Sequence, residues 1–249
     1  RDALSLELLG ARLQAERTDG EATIFTLDTL ARELHIQGKF DEAEPLYREA
    51  LEVSRETLGS RHPDTLGSIN ILGLLLKDKG DLASAEPLCR EALEVQREIL
   101  GSRHPTTLSS VGNLGVLLKD KGDLAGAEPL LYEALEGLRE TLGNRHPNTL
   151  AFINNLGGLL YTKGDHAAAE PLYREALEGK RETLGSRHPS TLNSINNLGA
   201  LLHDKGDFAA AEPLLREAVE VARETLGSRH PSTLDFIKNL AQCAAKVQG

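Results

Sequence analysis

The chain has 249 residues with 28 basic and 38 acidic side chains, and this net charge of −10 disfavours a phosphate-backbone binder, which needs a clustered basic face. Hydrophobic residues make up 40% and charged residues 27%, ordinary globular usage, and no apolar run approaches the roughly 18 residues that cross a bilayer. Cys89 and Cys243 stand apart from each other and from any Cys/His cluster, which excludes a disulfide framework or zinc knuckle and fits a reducing, cytoplasmic setting. The N-terminal residues do not read as a basic, apolar, small-residue leader, and a start at Arg1 rather than Met is expected to mark a segment of a longer polypeptide with further domains.

Arg-His-Pro recurs at 61–63, 103–105, 145–147, 187–189 and 229–231, a strict 42-residue period. The period predicts a half-repeat helix at 1–20, full repeats at 21–62, 63–104, 105–146, 147–188 and 189–230, and a last half-repeat helix at 231–249. In the repeat at 63–104, Pro63 suits a first helical turn, and Leu66, Ile69, Leu72, Gly73 and Leu76 recur at helical spacing, predicting a first helix over 64–78. Gly80 stops it. Asp81 is placed to cap a second helix over 82–100, with Leu82, Ala85, Leu88, Cys89, Ala92, Leu93 and Leu100 on its apolar face and Gly101 at its end. Pro45, Pro87, Pro129, Pro171 and Pro213 fall inside the second helices, where a bend rather than a break is expected. No strand pattern occurs, so each repeat is a helical hairpin that buries its stripe only against its neighbours.

The residues Leu72-Gly73, Leu76, Gly80, Ala85, Cys89 and Ala92 match the tetratricopeptide hairpin pattern, and the match recurs in every repeat. The 42-residue length, the His-Pro opening, and Asn154-Asn155-Leu156 and Asn196-Asn197-Leu198 resemble the kinesin light chain and nephrocystin-3 subclass over residues 21–249. The resemblance implies an all-α fold, a single right-handed superhelical solenoid of antiparallel hairpins spanning 1–249. Kinesin light chain arrays bind cargo-adaptor peptides, and similar arrays resemble the C-terminal sensor repeats of NB-ARC signalling ATPases. Either origin implies a protein-protein interaction scaffold rather than an enzyme, with no cofactor.

With Ile69 at the centre of the apolar stripe, Gly73, Leu76, Leu72 and Leu66 fall within about 60° of it. Gly67, Ile71, Leu74 and Asp78 point the other way, into what the resemblance identifies as the concave groove. The position of Ile71 becomes Asn113, Asn155, Asn197 and Asn239 along the repeat, a ladder of carboxamides able to pair with the backbone of an extended peptide. The alternative is that each Asn bridges neighbouring hairpins. The adjacent row of Asn70, Asn154 and Asn196, interrupted by Gly112, lies at the flank and is expected to bond between repeats. Specificity is expected from rows that vary: Arg32, Leu74, Val116, Gly158, Ala200 and Gln242, and Lys77, Lys119, Tyr161 and His203. Asp78, Asp120 and Asp204 sit beside Lys77, Lys119 and His203, which argues against a preference for acidic peptides.

Several patterns resemble chemistry without supplying it. His62, His104, His146, His188 and His230 cannot share a metal ion, because packed helices lie about 8–10 Å apart and a Zn–N bond is about 2.0–2.1 Å. These histidines are expected to hydrogen-bond in the turn instead. Glu44–Arg48, Glu86–Arg90, Glu170–Arg174 and Glu212–Arg216 are i,i+4 pairs of a solvated face. Gly38-Lys39-Phe40 and Gly179-Lys180-Arg181 lack the rest of a phosphate loop. Cys89 lies on the apolar stripe, and Cys243 has no evident place. The competing reading is a structural array that associates end to end through the last half-repeat. Gly112, Gly126 and Gly137 mark the repeat at 105–146 as the one to open first, so its amides are expected to exchange faster than those of its neighbours. Equal protection across all repeats would sink that expectation.

Overall fold

The computed structural model describes residues 20–247, with side chains from Thr23 to Lys246; the half-repeat helix expected at 1–20 lies outside the described residues. Eleven helices and no strand occur among them: α1 (Gly20–Ile36), α2 (Phe40–Thr57), α3 (Pro63–Lys79), α4 (Leu82–Leu100), α5 (Pro105–Asp120), α6 (Leu124–Leu142), α7 (Pro147–Thr162), α8 (His166–Leu184), α9 (Pro189–Asp204), α10 (Phe208–Thr225) and α11 (Pro231–Val247). The described residues up to Lys121 form one compact unit and those from Gly122 another, the division falling inside the repeat at 105–146. In the first unit each helix packs on the next from α1 to α5, and in the second the same holds from α6 to α11.

The turns explain why the period is so strict. His62 takes an extended conformation, φ −68° and ψ 139°, and its Nδ1 accepts a hydrogen bond from the Asp64 N–H at 3.3 Å while Pro63 occupies the first helical position. His104, His146, His188 and His230 accept likewise from Thr106, Asn148, Ser190 and Ser232 at 3.1–3.2 Å. Histidine is therefore the N-cap, satisfying a donor that the first turn leaves unpaired. The second helices open on Asp81, Asp123, Asp165 and Asp207, whose carboxylates accept from the backbone three residues on at 2.9–3.1 Å. Only α2 lacks such a cap, because Lys39 replaces the aspartate. Gly80 holds φ +88° at the end of α3, a left-handed conformation that glycine adopts without a Cβ penalty.

The buried arc of each first helix is wider than the predicted stripe. In α3 it includes Thr65, Ser68 and Leu75 as well as Leu66, Ile69, Leu72, Gly73 and Leu76, because α3 packs against both α2 and α4. Thr65 Oγ1 donates to the carbonyl of Gly59 at 2.8 Å, and Thr107, Thr149 and Thr191 reach back to carbonyls of the preceding second helices at 3.4 Å. The recurrent Thr-Leu thus ties each hairpin to the last through a hydroxyl that donates to a carbonyl at or near the end of the preceding second helix. Cys89 and Cys243 are both buried, and burial pushes both thiols up from the ordinary value. Helices α2, α4, α6, α8 and α10 run unbroken through their prolines, which lie near the second turn.

Candidate functional site

The first helices place the predicted recognition residues on their less buried faces. Arg32 on α1 and Asn113 on α5 are exposed; Lys77, Lys119, Tyr161, His203, Asn155, Asn197 and Asn239 are half-buried. The two asparagine rows bond to each other across hairpins. Asn197 Nδ2 donates to Asn154 Oδ1 at 3.3 Å, and Asn239 Nδ2 donates to Asn196 Oδ1 at 2.9 Å, in each case a residue 43 positions upstream. Ser194 Oγ also donates to Asn154 Oδ1, at 3.0 Å, and Asn70 Nδ2 donates to Ser110 Oγ at 3.1 Å. Asn197 and Asn239 therefore bridge hairpins, while the position 43 residues before Asn155 is Gly112, which has no carboxamide to offer.

The polar row beside them is paired from within. Lys77 pairs with Asp78 at 3.0 Å, Lys119 with Asp120 at 3.1 Å and His203 with Asp204 at 2.9 Å. His35, a member of this row that the sequence reading passed over, meets Asp78 at 3.0 Å, and the Tyr161 hydroxyl donates to Asp204. Burial raises the Asp204 carboxyl, but the hydrogen bonds from Tyr161 and His203 prevail and hold it below the ordinary value. Burial and the same carboxylate push the Tyr161 hydroxyl up to about 12. Lys77 and Lys119, each held against the adjacent carboxylate, offer little charge to an acidic ligand.

The second helices carry a denser ladder than the i,i+4 pairs suggested. Glu44 meets Arg48 and Lys79, both at 2.8 Å; Glu86 and Glu170 are gripped by Arg90 with Lys121 and by Arg174 with Lys205. The lysine hydrogen bond, then the arginine one, lowers the pKa of all three carboxyls. Arg55–Glu91, Arg139–Glu175 and Arg181–Glu217, each at 2.7 Å, join successive second helices. Exposed pairs of this kind contribute about 0.2–1 kcal/mol each, so the ladder fixes register more than it adds stability. Tyr132 breaks the pattern, standing 48% exposed where Arg48, Arg90, Arg174 and Arg216 stand in the other repeats, at the mouth of a cavity of 470 Å³ between α6, α7 and α8.

One buried residue belongs to neither face. Lys180 on α8 is 5% exposed, and its Nζ donates to Ser194 Oγ at 2.9 Å and to the Ser190 carbonyl at 3.3 Å. It has no carboxylate partner among the described residues, and burial lowers its pKa to about 8. Through Ser194 it joins the Asn154–Asn197 bridge, so a polar chain crosses from α8 through α9 to α7.

Recurrent helical hairpins with recurrent caps define a helical-repeat array of the kind that generally mediates protein-protein interaction. The chain belongs to the tetratricopeptide repeat family, whose models match residues 26–64, 64–140, 106–182, 150–224 and 190–247. Among solved structures it is similar to BtubC (BKLC) from P. vanneervenii, with 25% identity, a TM-score of 0.65, and coverage of 92% of this chain and 91% of that one. It is also similar to the kinesin light chain-like protein of Podosopora anserina, built of nearly identical TPR-like repeats, with 27% identity, a TM-score of 0.61, and coverage of 81% and 96%. A substituted form of that protein gives 27% identity, a TM-score of 0.63, and coverage of 82% and 96%. No functionally curated protein matches the chain. No described helix is long and apolar enough to cross a membrane.

Proposed function

We propose that the chain is a recognition scaffold without catalysis of its own, binding an extended segment of a partner protein along the less buried faces of its first helices. The observation that carries this reading is where the sequence varies. Caps, core and second-helix ion pairs repeat, whereas Arg32, Leu74, Val116, Gly158, Ala200 and Gln242 change from repeat to repeat at half-buried or exposed sites, Leu74 being 46% exposed. Uniform positions offer every repeat the same chemistry, so selectivity has to come from such a row. Asn113 and Asn155 have no side-chain hydrogen bond among the described residues and keep their full pairing capacity for a peptide backbone; Asn197 and Asn239 have each committed a donor to the neighbouring hairpin. Such a scaffold fits the recognition part of a larger cytoplasmic protein.

The test is a peptide-library pull-down with wild type, Asn113→Ala/Asn155→Ala and Asn113→Ala/Asn155→Ala/Asn197→Ala, each first matched for helicity and melting. Capture lost already in the double variant is the expected result. Unchanged capture by the triple variant, or none by wild type, overturns the reading.

End-to-end self-association is the second reading, favoured by α11. Leu66, Leu108, Leu150 and Leu192 are at most 1% exposed, yet their equivalent Leu234 is 53% exposed. If copies associate there, light scattering will show wild-type oligomers that Leu234→Glu reduces to monomers; a wild-type monomer at high concentration rejects it.

A further inference from the structure

The first repeat departs from the bridging pattern at one position. Asp28 occupies the row of Asn70, Asn154 and Asn196. In two later repeats the acceptor oxygen of this row receives a donor 43 residues on, Asn154 from Asn197 and Asn196 from Asn239, and Asn154 receives a second from Ser194, 40 residues on. For Asp28 the corresponding residues are Ile71, which has no donor, and Ser68. Its Oδ1 is buried with no hydrogen-bond partner among the described residues. In place of the missing carboxamide there is a cavity of about 400 Å³ between α1 and α3, lined by Phe25, Asp28, Asp64, Gly67, Ser68 and Ile71. Phe25 is 65% exposed at a row otherwise held by Gly67, Ser109, Ala151, Asn193 and Asp235, and a Cβ at Gly67 would meet nothing within 4 Å.

We propose that this cavity takes a lysine or arginine side chain of a bound partner segment, its cation on the Asp28 carboxylate and its alkyl stem against Phe25 and Ile71. The inference rests on the recognition reading above and names one of its specificity pockets. A carboxylate oxygen removed from water without a donor is costly, and a cation recovers more of that cost than a neutral donor does. Arg32, one turn along α1, acts on Asp28 electrostatically, yet burial still holds the carboxyl above its ordinary value. Asp64 adds a second negative charge at the rim, and long basic side chains keep their stems on apolar surface while the head stays polar. The chain's net charge of −10 favours a basic visitor from a distance.

The probe is N-acetyl-lysine methylamide, titrated into the labelled full chain and followed by amide chemical shifts, with the norleucine analogue as control. Saturable shifts confined to the surroundings of Phe25, Asp28, Gly67 and Ile71 are expected, absent with norleucine and at least about ten-fold weaker in Asp28→Asn. Ile71→Asn, which supplies the donor found in later repeats, is expected to abolish them while leaving Asp28 in place. Both substitutions install residues that other repeats already carry at these rows. Absence of localised shifts, equal shifts with norleucine, or undiminished binding by Asp28→Asn overturns the proposal. The library pull-down reports on the wider reading separately: peptides captured without a basic position sink this pocket and not the scaffold, whereas a lysine probe that binds beside an empty library does the reverse.

Discussion

Lys180→Leu is expected to stabilise the protein at pH 7 by about 1–3 kcal/mol, raising the melting temperature by about 2–4 °C for each kcal/mol. A lysine whose pKa falls from 10.5 to about 8 on folding carries a cost of about 3 kcal/mol while protonated in both states. Leucine removes that charge and fits, since Leu138 is fully buried at the equivalent place in the preceding repeat. The hydrogen bonds to Ser190 and Ser194 are lost, which offsets part of the gain, but Ser194 keeps its bond to Asn154. The pH dependence is the sharper signature. Below about pH 8 folded and unfolded chains both hold the proton and wild type bears the full cost; between about 8 and 10.5 only the unfolded chain holds it, so wild type gains stability as pH rises. The variant lacks that rise. Thermal melts of both proteins at pH 7 and 9.5 decide the matter: a gap that narrows at high pH supports it, and a variant no more stable at pH 7 refutes it.

Two glycines on equivalent first helices should respond to alanine with opposite signs. At Gly199 on α9 a Cβ would lie 2.7 Å from Leu215 Cγ and 2.8 Å from its Cδ2. Leu215 is fully buried, so its side chain has no open space to swing into and the packing of the hairpin must shift. Gly199→Ala is expected to cost about 1–3 kcal/mol, as overpacked cores do. At Gly158 on α7 the nearest atom is the Tyr173 hydroxyl at 3.5 Å, an ordinary contact. Gly158→Ala should gain about 0.5–1 kcal/mol from the lower helical cost of alanine. Denaturant midpoints measure both, and a stabilising Gly199→Ala would mean that the hairpin contact is loose.

The hairpins were legible in the sequence because Pro, Gly and Asp punctuate every full repeat after the first at fixed places, and the structure puts α3 and α4 within one residue of the predicted ends. The bonds between repeats were harder to read. A glutamate and a lysine 35 residues apart, as in Glu44 and Lys79, form no local pattern, and a link of 43 residues such as Asn154–Asn197 joins two different rows rather than one. Lys180 follows Gly179 in a helix rich in charge and reads as a surface residue; its burial is set by α9, which no window on α8 contains. Asp28 is unusual only beside the later repeats, through the exchange of one carboxamide for a carboxylate and another for Ile71.

The side-chain hydrogen bonds from Arg55 to Glu91, Lys79 to Glu44, Asn70 to Ser110 and Asn239 to Asn196 span 36, 35, 40 and 43 residues. Each reaches the adjoining hairpin and no further. If 42 residues are duplicated or excised by recombination, the new junction meets the same kinds of partner at the same distances. The histidine cap closes the seam regardless of which copies it joins. Gene length can therefore drift in whole cassettes without a compensating substitution elsewhere, and each added cassette is free to diverge on the face that meets a partner.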